Sequence, residues 1–150
     1  KLPDPVMTEI NLSQIAESAV SFCRQSALGR NITVEISSSA NVSIIADRQL
    51  IEQVLVNILK NAVESVGADG MIRVSVNETC LTVTDNGPGI APENVDRLFS
   101  PFFSTKPNGH GIGLMMIAEI LKKHRFTFSL VTGNDGLTRF TINFKYGGSQ

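Results

Sequence analysis

The segment that sets the architecture is Leu81-Thr82-Val83-Thr84-Asp85-Asn86-Gly87-Pro88-Gly89-Ile90, an alternating strand that runs into a glycine-bearing turn. Because side chains alternate along a strand, Leu81, Val83 and Asp85 share one face. A carboxylate among core side chains is unfavourable unless a partner hydrogen-bonds it, and the glycines let the backbone approach a bound group closely. The segment therefore predicts an acceptor at the edge of a ligand pocket, although Asp85 could also simply cap the turn.

A second glycine cluster, Gly109-His110-Gly111-Ile112-Gly113-Leu114, opens an apolar helical run further along the chain. Peptide N–H groups at a helix start attract phosphate, and glycine lets the phosphate come close. A single glycine motif is weak evidence, because turns and helix starts use glycine routinely. An acceptor at the first cluster and a phosphate cradle at the second together predict a nucleotide pocket.

The helix predicted over residues 48–66 carries two asparagines on its polar side. Its apolar face consists of Ile51, Leu55, Ile58, Leu59, Ala62 and Val66, and the opposite arc consists of Gln53, Asn57, Lys60, Asn61 and Glu64. Asn57 and Asn61 are one turn apart and point the same way. A carboxamide oxygen can ligate Mg²⁺ without adding negative charge beside phosphates. Taken alone, the pair also fits a solvated polar face, just as Lys60 and Lys106 fit ordinary surface lysines.

Hydrophobic periodicity and turn residues predict the remaining elements. Helices are expected over residues 12–28, 48–66 and 111–123, with a short helix from Pro92 to about Leu98. Strands are expected at the end of 1–10 and over 32–36, 42–45, 72–76, 79–85, 126–130 and 138–144. Asn11 or Ser13 is the expected cap of the first helix. Asp47 and Gly67 are expected to bound the second. Helices on one side and mostly antiparallel strands on the other give the α+β class, as a two-layer sandwich.

Composition narrows the class of protein. At 150 residues the chain is expected to form a single domain, residues 1–150. The formal charge of -1 gives no general attraction to nucleic acid, and no apolar run reaches the roughly 18 residues of a membrane span. Cys23 and Cys80 fit small core residues in a reducing compartment. We therefore expect a cytoplasmic domain that contacts neither nucleic acid nor membrane. Because the sequence has no initiator Met, we also expect it to be a piece of a longer protein.

Four motifs, in this order, resemble the N, G1, F and G2 boxes of sensor histidine kinases. They are Asn57-x-x-x-Asn61, Asp85-x-Gly87-x-Gly89, Phe99-x-x-Phe102-Phe103 and Gly109-x-Gly111-x-Gly113-Leu114. The whole chain is similar to the catalytic and ATP-binding domain of that family, whose Bergerat fold is shared with the ATPase domains of DNA gyrase, Hsp90 and the MutL proteins. The resemblance implies about three helices packed on a mixed, largely antiparallel five-stranded sheet, with ATP and Mg²⁺ as cofactors.

The resemblance also implies roles for particular residues. The base end of the pocket is implied to consist of Asp85, Gly87, Gly89, Ile90 and Thr138. Asp85 resembles the aspartate that accepts a hydrogen bond from the adenine amino group. Asn61 resembles the residue that holds Mg²⁺ against the phosphates, with Asn57 as its phosphate or metal neighbour. Residues 99–113 resemble the ATP lid. Gly109, Gly111 and Gly113 are implied to present N–H groups to the phosphates. The other implied nucleotide contacts here are Thr105, Lys106, His110, Ile112 and, directly after the lid, Leu114.

Two positions depart from the family's pattern. Many members carry a basic residue shortly after the second asparagine of the N box, where this chain has Glu64. We therefore expect Lys60 or Lys106 to supply the positive charge near the phosphates. His110 stands in the second glycine box where a small residue is common, and we expect it to be a solvent-exposed lid residue rather than a catalyst.

The residue at position 57 bears on the reaction. Hydrolysing relatives carry a glutamate there, which activates water, whereas the carboxamide of Asn57 takes up no proton at neutral pH. The resemblance therefore implies transfer of the γ-phosphoryl group to a histidine on a separate dimerisation helix domain, with a response regulator downstream. His110 and His124 lack the context of that acceptor, so we expect no autophosphorylation by this chain alone.

Two other functions are alternatives. One is a serine protein kinase of the anti-sigma-factor type, and the other is an ATPase or a nucleotide-binding regulatory module. The aromatic residues Phe99, Phe102 and Phe103, if suited to docking on a helical dimer, argue against the serine kinase. The presence of Asn61 and of the three lid glycines argues against a degenerate module.

Overall fold

The computed structural model describes residues 2–100 and 112–145, except the side chains of Asp96 and Ile112. In chain order the elements are β1 (Thr8–Asn11), α1 (Leu12–Ser26), β2 (Thr33–Ser38), β3 (Ser43–Ala46), α2 (Arg48–Val66), β4 (Met71–Val76), β5 (Cys80–Asp85), a 3₁₀ helix (Pro92–Arg97), α3 (Ile112–Lys123), β6 (Thr127–Thr132) and β7 (Thr138–Asn143). The predicted helices and strands are confirmed, with ends that differ by one or two residues, which is the usual uncertainty of element boundaries.

Five strands form one mixed sheet in the order β2-β4-β5-β7-β6. β2 and β4 run parallel, and every other neighbouring pair is antiparallel. The helices pack on one face, where alternate strand residues such as Val74, Val83 and Phe140 are buried. The opposite face carries polar residues, among them Glu35 and Arg73, which form an ion pair. The predicted two-layer α+β sandwich is therefore confirmed.

The two short strands β1 and β3 do not join the main sheet. They pair with each other as a separate antiparallel ribbon, in which Ile10 lies opposite Ile44. Both isoleucines are buried, so the ribbon closes one end of the core beside α1. The sequence predicted both strands but contained no signal for this pairing, because the partners are separated by the whole of α1 and β2.

Helix α2 lies along the inner face of the sheet and is amphipathic. Its buried residues are Ile51, Val54, Leu55, Ile58, Leu59, Ala62 and Val63. The predicted apolar stripe was narrower, because it left out Val54 and Val63, and it included Val66, which is only half-buried. At 19 residues α2 is the longest described helix, yet no helix in residues 2–100 and 112–145 is long and apolar enough to cross a membrane.

Both ends of α2 are fixed by the residues that the sequence predicted. Asp47 Oδ1 accepts from the Leu50 N–H at 3.1 Å, and its Oδ2 accepts from the Val6 N–H at 2.8 Å. Gly67 ends the helix with a φ of 76°, a conformation that favours glycine. Of the two candidates at the start of α1, Asn11 is the cap and accepts from the Gln14 N–H at 3.0 Å. The caps at Asp47 and Gly67 hold α2, which carries Asn57 and Asn61, in a defined register.

Substitution of Asp47 is expected to destabilise the fold in a pH-dependent way. The N–H of Val6 is the largest of the influences that hold the pKa of Asp47 below its ordinary value. A carboxyl whose pKa is lowered by folding stabilises the native state above its unfolded pKa of about 4 and loses that contribution as the pH falls. D47A should lower the unfolding free energy by about 1 kcal/mol at pH 7 through loss of the cap.

Urea unfolding at a series of pH values tests this expectation. D47N keeps a capping oxygen but has no titrating carboxyl, so it should lose less stability than D47A at pH 7. Its difference from the wild type should shrink as the pH falls below about 4. Equal stability of D47A and the wild type at pH 7 would contradict the role of Asp47 as the cap.

Candidate nucleotide-binding site

A pocket of about 120 Å³ lies between α2, the end of β5 with the turn that follows, the start of α3 and the β6–β7 hairpin. It is lined by Ile58, Asn61, Ala62, Ser65, Val83, Asp85, Gly89, Ile90, Leu98, Leu114, Leu130, Thr138 and Phe140. Most of these side chains are apolar, and the polar ones are few. Apolar walls with a small number of placed polar groups are typical of sites for small molecules and cofactors.

Asp85 is the acidic residue of the pocket. It ends β5, where it pairs with Ile72 on one side and with Thr138 on the other, and only 7% of its surface is exposed. Its Oδ1 accepts from the Gly87 N–H at 2.8 Å, so the carboxylate itself closes the turn. The two roles of Asp85 that the sequence left open, turn cap and pocket acceptor, are thus compatible in one side chain.

At both glycines of this turn, neighbouring side chains leave little room for a Cβ atom. A Cβ on Gly87 would lie 2.5 Å from Ser65 Oγ, so this glycine lets the turn lie directly against the end of α2. Gly89 has a φ of +88°, and a Cβ there would lie 3.0 Å from Thr132 Cγ2. At both positions the backbone therefore lies close to other parts of the chain, Ser65 at Gly87 and Thr132 at Gly89.

A hydroxyl pair joins the turn to the β6–β7 hairpin. Thr132 Oγ1 accepts from the Ile90 N–H at 2.9 Å and lies 2.8 Å from Thr138 Oγ1, where either hydroxyl can donate. Thr138, which the family resemblance had implicated, is buried beside Asp85. Thr132 was not predicted, because nothing in the local sequence indicates a hydrogen bond to a residue so distant along the chain.

The structure brings some of the predicted site residues into the pocket and leaves others outside it. Six of them line it: Asn61, Asp85, Gly89, Ile90, Leu114 and Thr138. Asn57 is half-buried one turn before Asn61, and Lys60 is exposed; neither lines the pocket. Thr105, Lys106, Gly109, His110 and Gly111 lie outside the described residues, and so does the side chain of Ile112. Gly113 lies in the first turn of α3, next to Leu114.

Several pocket residues were not predicted as part of a site. They are Ile58, Ala62, Ser65, Val83, Leu98, Leu130 and Phe140. The sequence pattern places Ile58 and Ala62 on the core face of α2, and Leu130 and Phe140 in strands. These assignments are correct, but the inner face of a sandwich serves both as core and as pocket wall. Signals were available for Ser65, which follows Asn61 by one helical turn, and for Val83, which shares a strand face with Asp85.

Phe99 belongs to the aromatic motif for which docking on a helical dimer is expected, and it packs on the sheet of its own chain. Its ring packs edge-on against Phe128, with centroids 5.3 Å apart, and against Phe140 at 6.2 Å. The side chain is partly buried against the hydrophobic core, because a ring beside the sheet gains more by joining these aromatics than by facing water. Phe102 and Phe103 lie outside the described residues.

His124 is a core residue and not an exposed nucleophile. Only 1% of its surface is exposed. Its Nε2 accepts from the Asp47 N–H at 3.0 Å, so the proton is assigned to Nδ1, which donates to the Ile120 carbonyl at 2.9 Å. Both ring nitrogens are therefore engaged, in a contact that ties the end of α3 to the start of α2. This geometry agrees with the expectation that His124 is no phosphoacceptor.

The fold and pocket together define the class as a two-layer α/β sandwich with a pocket between the helices and the sheet. The family model for histidine kinase-, DNA gyrase B-, and HSP90-like ATPases matches residues 46–148. The chain belongs to this family, and the family's description as ATPases identifies ATP as the nucleotide that its members use. The resemblance to sensor histidine kinase catalytic domains is confirmed by similar proteins of known sequence and structure.

Among similar sequences are two bacterial sensor proteins. The C4-dicarboxylate transport sensor protein DctB of Rhizobium meliloti is 35% identical over 141 residues, which cover 89% of this chain and 22% of DctB. The sensor histidine kinase ZraS of Salmonella typhimurium is 34% identical over 121 residues, which cover 77% of this chain and 26% of ZraS. The chain thus spans about a quarter of the length of these relatives.

Among similar structures is the catalytic domain of the histidine kinase ThkA. It has a TM-score of 0.84 and 27% identity, covering 92% of this chain and 94% of that one. ThkA has also been solved in complex with a response regulator protein, TrrA, with a TM-score of 0.73 and 26% identity over 93% of this chain and 42% of that one. The agreement over nearly the full length of the isolated catalytic domain confirms the five-stranded fold implied by the four motifs.

Proposed function

We propose that this chain, as one catalytic domain over residues 1–150, binds Mg-ATP and transfers the γ-phosphoryl group to a histidine on a separate dimerisation helix domain of a sensor histidine kinase. The observation that carries the proposal is the convergence of Asp85, Asn61 and Leu114 on one pocket. These residues come from a strand end, a helix face and a helix start that are far apart in the sequence, and each belongs to a different box of the family pattern.

The base end of the proposed site is the buried carboxylate of Asp85. A carboxylate has about four lone-pair positions, so Asp85 can accept both from the Gly87 N–H and from the exocyclic amino group of adenine. Guanine presents a carbonyl oxygen at the corresponding position, which a carboxylate repels. Apolar side chains such as Val83 and Ile90 give the faces of the ring a dry surface. This end of the pocket therefore favours ATP over GTP.

The phosphate end of the proposed site is the side of the pocket where Asn61 lies. Mg²⁺ prefers oxygen ligands and is often held by one or two protein groups together with substrate phosphates and water. The carboxamide of Asn61 suits that role, with Asn57 one turn earlier as a phosphate or metal neighbour. Within the described part of the chain no three His, Cys, Asp or Glu side chains gather as a metal site. A bound Mg²⁺ would neutralise charge on the phosphates.

The remaining phosphate contacts are assigned to a lid over residues 99–113. Its proposed members outside the described residues are Thr105, Lys106, Gly109, His110 and Gly111, followed by Ile112, Gly113 and Leu114 at the start of α3. Peptide N–H groups at a helix start suit phosphate oxygens. Because Glu64 stands where a basic residue is common, Lys60 or Lys106 is proposed to supply the positive charge.

Transfer is favoured over hydrolysis by the residue at position 57. The carboxamide of Asn57 is unable to take a proton from water, so the site lacks the general base that the hydrolysing relatives carry there. In the proposed reaction an imidazole nitrogen of the acceptor histidine attacks the γ-phosphorus. The bond from that phosphorus to the β–γ bridging oxygen breaks, and ADP leaves with the electron pair. The buried His124 has both ring nitrogens engaged, and His110 is proposed to be a lid residue. The acceptor histidine is therefore proposed to belong to another domain.

A mixing experiment tests the proposed function. The chain is incubated with γ-labelled ATP, Mg²⁺ and a separately made dimerisation helix domain from the same full-length protein. We expect acid-labile, base-stable label on the helix domain, no label on the chain alone, and none when the acceptor histidine is replaced by alanine. Steady release of labelled phosphate without labelling of the helix domain would instead identify an ATPase. The proposed downstream partner is a response regulator, which should remove the label when it is added.

A further inference from the structure

We propose that Thr132 is a positioning residue for the nucleotide pocket, because its hydroxyl ties the turn after β5 to the β6–β7 hairpin and so holds the wall against which the base packs. The proposal rests on the proposed function of this pocket as the base site for ATP. Thr132 does not line the pocket. It acts through Ile90 and Thr138, both of which do.

The geometry at Thr132 joins two separate parts of the pocket. Its Oγ1 accepts from the Ile90 N–H at 2.9 Å and is hydrogen-bonded to Thr138 Oγ1 at 2.8 Å. A hydroxyl has one proton and two acceptor positions, so a single side chain makes both contacts at once. The Thr132 side chain also contacts the turn sterically, since a Cβ on Gly89 would lie 3.0 Å from Cγ2 and 3.2 Å from Oγ1.

The turn from Asp85 to Ile90 is held at its two ends by different partners. At the first end, Asn86 Oδ1 accepts from the Met71 N–H at 2.9 Å, which fixes the turn to β4. At the second end the described contact is the hydrogen bond from Ile90 to Thr132. Removing the Thr132 hydroxyl therefore leaves the Asn86 end in place and releases the end that carries the pocket wall. Ordering a mobile pocket wall during binding costs free energy and so lowers the affinity for the nucleotide. A wall that is already ordered in the free chain avoids this cost.

Three substitutions test the proposal in the whole chain. T132V keeps the shape of the side chain and removes the hydroxyl, whereas T132S keeps the hydroxyl and removes the methyl group. T141V is the matched control: Thr141 lies on the next strand, its hydroxyl is 3.4 Å from that of Thr82, and it does not line the pocket. Calorimetry should show that T132V binds ATP about ten-fold more weakly, while T132S and T141V bind within about two-fold of the wild type.

Amide hydrogen exchange in the nucleotide-free chain gives a second measurement. A general loss of stability would not produce the site-specific change that we expect. T132V should accelerate exchange at Ile90 without accelerating it at Met71, whose N–H is held by Asn86. T132S should restore slow exchange at Ile90. If T132V does not melt cooperatively, T132A serves in the same comparison.

The outcomes separate the two proposals. If the wild type does not bind ATP, the proposed function and the role of Thr132 both fail. If the wild type binds ATP and T132V binds it equally well, the role of Thr132 alone is overturned. The same holds if T132S binds ATP as weakly as T132V. An acceleration of exchange at Ile90 and Met71 together would identify general destabilisation, which also overturns it.

Discussion

Asp85→Asn is expected to weaken ATP binding about a hundred-fold while leaving the fold intact. In the wild type the Oδ1 of Asp85 accepts from the Gly87 N–H at 2.8 Å, and the carboxylate can accept further hydrogen bonds. A carboxamide has one acceptor oxygen and an NH₂ group that only donates. When that oxygen takes the Gly87 N–H, the NH₂ group is directed at the ligand, where the adenine amino group also donates. Two donors then face each other in a buried site.

The same substitution should change which base the pocket prefers. Guanine carries an acceptor oxygen where adenine carries its amino group. The NH₂ group of the substituted side chain would meet that oxygen as a donor, so affinity for GTP should rise relative to affinity for ATP. A pocket in which Asp85 acted only as a turn cap would lose affinity for both nucleotides in equal proportion. The ratio of the two affinities therefore separates base recognition from turn stability.

Calorimetry with ATP and GTP measures this ratio, and the chain offers a matched control. Asp135 Oδ1 accepts from the Leu137 N–H at 3.0 Å, which is the same turn geometry as that of Asp85 with Gly87. Asp135 is exposed and pairs with Arg139 instead of lining the pocket. D135N should therefore leave both affinities within about two-fold of the wild type. Unchanged ATP affinity in D85N would show that the adenine role of Asp85 is wrong.

The parts of the fold that were predictable depend on local chemistry. The bounds of α2 followed from Asp47 and Gly67, because a capping carboxylate and a glycine with positive φ act within one helical turn. The position of Asp85 in the pocket followed from strict alternation along β5. In each case the information lies within a few residues of the feature that it specifies, so a single sequence is sufficient.

The features that were not predictable depend on contacts between distant parts of the chain. Thr132 holds the backbone of Ile90, and the sequence around Thr132 is compatible with any strand end. Nothing near Phe99 in the sequence indicates that it packs on Phe128 and Phe140, because only the folded sheet brings those rings beside it. Helical spacing placed Asn57 and Asn61 on one side of α2 but gave no means of telling that only Asn61 lines the pocket.

Asn61→Ala is expected to lower magnesium-dependent phosphoryl transfer by about a hundred- to a thousand-fold. The side chain lies at the pocket, and the proposed role of its oxygen is to hold Mg²⁺ against the phosphates. Asn57→Ala should have a smaller effect, about ten-fold, because Asn57 is half-buried outside the pocket lining. Gln53→Ala is the matched control, since it removes another carboxamide from the same helix at a position that contacts Met116 instead of the pocket.

The dependence of ATP binding on Mg²⁺ distinguishes a metal role from a general loss of the site. In the wild type, affinity should be higher with Mg²⁺ than with a chelator. N61A should lose this difference and keep the affinity measured with the chelator, because the base end is unchanged. D85N should lower affinity under both conditions by the same factor, since adenine recognition does not involve the metal. If N61A keeps the full increase with Mg²⁺, then Asn61 does not hold the metal, and the phosphate end of the pocket must be assigned to other residues.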